Sequence, residues 1–168
     1  MTGVRVLAAL IMTAACGGVG YSAARTQTRR RRALAELGQA VDRLEINMLE
    51  QRLPLAEALR RAGHPLFERA AKGLDELSPE ESLRRAAEEL SARMGPLDAL
   101  TRDDMTAIHH LAGELGRYDA HRQRLLLHET RGELRALEEQ AARQAAEKNR
   151  LYVSLGALGG LMLSAALI

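Results

Sequence analysis

Charge is nearly absent from the two ends of this chain, and that absence constrains the fold more than any motif does. Of residues 1 to 24 only Arg5 is charged, and residues 151 to 168 carry no charged side chain. From Val4 to Ala24 the sequence reads VRVLAALIMTAACGGVGYSAA. About 20 apolar residues, at about 1.5 Å rise each, cross a hydrocarbon core of about 30 Å. Leu151 to Ile168, LYVSLGALGGLMLSAALI, is long enough to do the same, barely. The expected layout is an N-terminal transmembrane helix at 1–24, a basic juxtamembrane linker at 25–32, a helical bundle at 33–150 and a C-terminal transmembrane helix at 151–168.

The basic residues beside these segments predict which side the middle occupies. Arg29, Arg30, Arg31 and Arg32 follow the first segment, and Lys148 and Arg150 precede the second. Positive charge next to a span stays on the cytoplasmic side, and two crossings return the chain to its starting side. Charge and parity thus agree on a cytoplasmic central domain with both termini outside. The same six residues form the expected membrane and lipid interface; each contributes about 1 kcal/mol of attraction to an anionic surface, though setting topology is their main expected role. A cleaved signal peptide, or a lipoprotein processed at Cys16, is the alternative reading of the first segment. The arginine run argues against both, because it opposes export of the downstream chain. Gly156 and Gly160 have the G-x-x-x-G spacing that lets two spans approach closely.

Without its ends the chain keeps about 126 residues, the size of one domain. Ala, Leu, Arg and Glu dominate, and the aromatic residues are only Tyr21, Phe67, Tyr118 and Tyr152. That composition favours helix over strand. It also supplies too few rings to stack bases, which argues against a nucleic-acid partner. The net charge of +2 points the same way, since Ala33 to Arg150 holds 18 basic against 22 acidic residues and presents no excess of positive charge to a phosphate backbone. Cys16 is the single cysteine, so neither a disulfide framework nor a Cys-based zinc site forms within one chain.

Apolar residues recur at helical spacing through the middle. Leu34, Leu37, Val41, Leu44 and Met48 form one stripe, on a helix starting near Arg30 and ending around Arg52. Pro54 to Ala62 reads as a second helix with Leu55 and Leu59 inward, and Leu66 to Lys72 as a third capped by Gly73. Ser78-Pro79-Glu80-Glu81 combines an N-cap serine, proline at the first helical position and glutamate three residues after the cap. The fourth helix is expected to reach Met94, with Leu83, Ala87, Leu90 and Met94 inward. Thr101 and Asp104 start a fifth, bearing Met105, Ile108, Leu111, Ala112 and Leu115. Asp119 caps the last and longest, whose stripe is Leu127, Thr130, Leu134, Leu137, Ala141 and Ala145. The fold class is therefore all-α, an antiparallel bundle of five to six helices flanked by the two transmembrane helices. The Ala-rich stripes also suit heptad contacts between subunits, a homo-oligomer.

Convergent catalytic chemistry is missing from the sequence. His128-Glu129 begins like a zincin helix, but Gly132 stands where the second histidine belongs. His109, His110 and His121 have no third ligand spaced with them and are expected at the surface. There is no P-loop, no glycine-rich dinucleotide turn and no G-x-S-x-G. No catalytic residue, cofactor or metal is expected, and the chain reads as a non-enzyme.

Three stretches are more specific: LEINMLEQRLPLAEAL at 44–59, LAGELGRYDAHRQ at 111–123 and EKNRLYVSLGALGGLML at 147–163. They resemble the stage III sporulation protein AB family, and the resemblance covers essentially the whole chain. It implies a subunit of the channel between mother cell and forespore, in the mother-cell membrane facing the forespore. It further implies a domain similar to the cytoplasmic domains of type II secretion inner-membrane platform proteins. The implied partners are the ATPase stage III sporulation protein AA and other channel subunits. By matched position, Pro54 and Leu55 open the second helix, while Leu115, Gly116 and Asp119 form the turn into the long one. Two positions depart from the family pattern: Asn47 stands where an acidic residue is expected, and Leu53 where a threonine cap is expected.

Overall fold

The computed structural model describes residues 26–92, 95 and 97–167, with side chains up to Glu147. Helices and turns account for the described residues, with no strand among them. Helix α1 covers residues 26–45 and ends in a π turn, Ile46–Glu50. There follow α2 (Leu55–Arg61), α3 (Pro65–Gly73), α4 (Pro79–Ser91), α5 (Arg102–Glu114) and α6 (Ala120–Leu167). The chain divides into two compact units, one of Arg30–Glu139 and one of Met1–Arg29 with Gln140–Ile168. The first is the bundle. It begins at Arg30, and residues 26–32 are helical, the first turns of α1.

Helices α2 to α5 pack in order, each against the next. Helix α1 lies antiparallel to α6, because pairs along the two run in opposite directions: Arg31 with Glu138 at 3.6 Å, Asp42 with Arg131 at 3.0 Å and Glu45 with Arg124 at 3.7 Å. Gly38 leaves room for the Arg131 guanidinium to cross α1. The core between the helices holds Leu34, Leu37, Val41 and Leu44 from α1, Phe67 from α3, Leu83 from α4, Ile108 and Leu111 from α5, and Leu127 and Leu134 from α6, all buried. Burying each large side chain contributes about 1.5–3 kcal/mol. Ser82 Oγ donates to Ala70 O, so α3 and α4 meet through small residues.

Four details differ from the sequence pattern. At the end of α1 the π turn sets Asn47 inward and leaves Met48 half-buried. Gly73 ends α3 without a left-handed conformation; instead a side chain there would collide with Ser82. Helix α4 stops at Ser91, short of Met94, because the chain turns back: Leu97 N–H donates to Leu90 O at 3.1 Å, and Leu97 is fully buried over the helix end. On α5 it is Asp104 that is buried, while Met105 is half-exposed. Among the residues with described side chains, no helix is long and apolar enough to cross a membrane. The expected spans, Val4 to Ala24 and Leu151 to Ile168, lie outside those residues, while α6 keeps helical backbone to Leu167.

Candidate functional site

The arginine run does not act as one surface cluster. A helix turns about 100° per residue, so four successive side chains point in four directions, and the second of them faces the core. Arg30 Nε donates to Asp104 Oδ2 and Arg30 Nη2 to Asp104 Oδ1, each at 2.7 Å. Arg30 is 6% exposed and Asp104 fully buried. This is the two-pronged guanidinium–carboxylate geometry, the strongest form of charged hydrogen bond. Arg29, Arg31 and Arg32 remain exposed, and Arg31 meets Glu138. Arg30, one of the six residues expected at the lipid interface, has its side chain inside the bundle.

Asp104 serves a second structural purpose at the same time. Thr101 N–H donates to Asp104 Oδ2 at 2.8 Å, and Asp104 N–H donates to Thr101 Oγ1, closing a capping box at the start of α5. Burial pushes the Asp104 carboxyl upward. The Arg30 fork and the Thr101 bonds outweigh it and hold the group below the usual carboxylate range. On Arg30 the bond to Asp104 outweighs burial and raises the guanidinium. Both partners are therefore charged.

A second group of residues surrounds the turn from α5 into α6. Leu115 is buried, and its N–H donates to Leu111 O at 2.9 Å. Gly116 has φ +79 and passes so close to Leu55 that an added Cβ would stand 3.2 Å from Leu55 Cδ2. Its N–H donates to Gln123 Oε1 at 3.0 Å, and Asp119 Oδ1 accepts from Arg122 N–H at 2.9 Å. Pro54 stands at the N-cap of α2 and its carbonyl accepts from Ala58 N–H. The fold therefore brings Leu55 and Gly116 together across the sequence. At the start of this arrangement Asn47 Nδ2 donates to Ala58 O at 3.2 Å, joining α1 to α2. Arg52 takes φ 52, and Leu53 N–H closes on Asn47 O at 3.0 Å. Leu53 makes this backbone bond, and α2 has no side-chain cap.

His64 is the further residue that sequence reasoning overlooked. Its Nδ1 accepts from Leu66 N–H at 3.2 Å, capping α3, and its ring meets Phe67 edge-on. Burial, together with the positive charge of Arg43, lowers it to about 4. Histidine is not a favoured N-cap, so the only signal was His-Pro at the start of an apolar run. His109, His110, His121 and His128 are exposed. No group of three potential metal ligands converges among the described residues. Lys148, Arg150, Gly156 and Gly160 fall on α6, with side chains outside the described residues.

These features define a small helical bundle in which the buried Arg30, Asn47, His64, Ser82 and Asp104 serve capping and helix-to-helix contacts. The model of the family described as stage III sporulation protein AB matches residues 5–168. The chain belongs to the stage III sporulation protein AB family. A solved structure of a stage III sporulation protein AB is similar over 70% of this chain and 97% of its own, with TM-score 0.60 and 19% identity; at that identity the likeness speaks for the fold. Comparison with curated proteins gives no match.

Proposed function

We propose that this sporulation protein is a non-enzymatic platform subunit, held in the mother-cell membrane at both ends, that couples a cytoplasmic ATPase to the channel toward the forespore. The supporting observation is the pairing of Arg31 with Glu138 at 3.6 Å. It puts the entry of the chain into the bundle beside its exit, which suits two apolar flanking segments in one membrane. Force reaching the bundle would pass along α6, which carries no proline from Ala120 to Leu167. By family resemblance the motor is stage III sporulation protein AA.

The test pairs topology with partnership. In a Cys16→Ser background, single cysteines between residues 33 and 147 are expected to resist an impermeant thiol reagent in intact cells, and cysteines at either terminus to react. The full chain purified from membranes of sporulating cells is expected to carry the ATPase with it. Labelling of the central residues in intact cells, or membranes that hold the chain without the ATPase, would refute the reading.

A further inference from the structure

Burying an ion pair is seldom a net gain in stability, because desolvating two charges offsets most of their attraction, and apolar replacements of both are often as stable. Such a pair is better explained by what it positions. Arg30 and Asp104 are 74 residues apart in sequence. Arg30 stands six residues after Ala24, the last residue of the first apolar segment, so the connecting chain reaches at most about 20 Å. Asp104 is N3 of α5 and already holds the capping box. Its two oxygens accept from Arg30 Nε, Arg30 Nη2 and Thr101 N. A planar fork on a carboxylate fixed in this way allows one orientation of α1 against the start of α5.

We propose that the Arg30–Asp104 pair is a mechanical key joining the N-terminal membrane segment to the bundle. A pull on the chain before Arg30 reaches α1, and the fork delivers it to the first turn of α5 rather than letting α1 rotate or slide. This is a second route into the bundle, separate from α6. It also divides the arginine run by role: Arg29 and Arg32 contribute charge at the surface, and Arg30 contributes register. The proposal rests on the membrane-platform reading above.

Full-length variants as the only copy in a sporulating strain test it. Arg30→Met with Asp104→Leu removes the key while leaving an apolar contact, Arg30→Lys keeps the charge but not the fork, and Arg32→Met removes one charge from the run without touching the key. Expected are a tenfold or greater loss of spores for the double variant, a smaller loss for Arg30→Lys with the fold retained, and spore counts within twofold of the parent for Arg32→Met. A folded double variant that sporulates normally overturns the key, as does an Arg32→Met strain as defective as the double variant. Should the double variant not fold, Arg30→Lys decides: normal spore counts overturn the key, and reduced counts with an intact fold support it. Carbonate extraction separates the two readings. A parent chain released from the membrane defeats the platform and the key together, whereas a retained chain with a normally sporulating double variant defeats the key alone.

Discussion

Lowering the pH should destabilise this protein through His64. The ring accepts a hydrogen bond from Leu66 N–H through Nδ1, which requires that nitrogen to be unprotonated. Burial and Arg43 lower the folded value to about 4, against 6.5 for a free histidine. Between these values the unfolded chain binds a proton that the folded one excludes, so the stabilisation is complete above about pH 6.5 and lost as the pH falls toward 4. The full shift corresponds to about 3 kcal/mol, of which about 2 kcal/mol is gone by about pH 5. Urea unfolding of the full chain in mild detergent, at about pH 7.5, 6 and 5, measures this loss. His64→Asn keeps a good N-cap that does not titrate in this range and is expected to flatten the dependence. Parallel pH profiles for the parent and His64→Asn would show that the histidine is not the cause.

Two further predictions concern the candidate site. Asp104→Asn leaves the Arg30 charge buried without its counter-ion, an expected loss of about 3–5 kcal/mol, readable as a lower urea midpoint at unchanged slope; a change below about 1 kcal/mol would contradict the buried fork. Left-handed backbone decides the signs at the two turns: Arg52→Gly is expected to stabilise by about 1 kcal/mol, since φ 52 strains a residue with a Cβ. Gly116→Ala at φ +79, with Leu55 against it, is expected to cost about 1–3 kcal/mol. Thermal melts of the two variants should shift in opposite directions.

Much of the bundle was legible because its determinants are local. Helical periodicity is a property of neighbouring residues, so Leu34, Leu37, Val41 and Leu44 announced the buried face of α1. The start of α4 was equally readable, since Ser78 accepts Glu81 N–H within one turn. Thr101 and Asp104 likewise form their capping box within one turn. The end of α4 was not, because Leu97 terminates it by returning to Leu90 from beyond the helix. Neither was the π turn that sets Asn47 rather than Met48 inward, since Asn47 finds its partner at Ala58 on the next helix.

What the sequence by itself determined was the class of the chain, its helices, most of their caps and the charge-poor ends, all written in adjacent residues. What only the tertiary structure decided was the meaning of individual charges. In sequence Arg29, Arg30, Arg31 and Arg32 are equivalent members of one run. Folding distinguishes them because the rotation of α1 sends one guanidinium inward, where a carboxylate from 74 residues away must meet it. Asp104 reads in sequence as a cap, and it is one, but its second role exists only once α5 lies against α1. Capping energies are set by the chain within a turn, whereas the state of a buried charge is set by the groups that replace its water, and those are chosen by the fold.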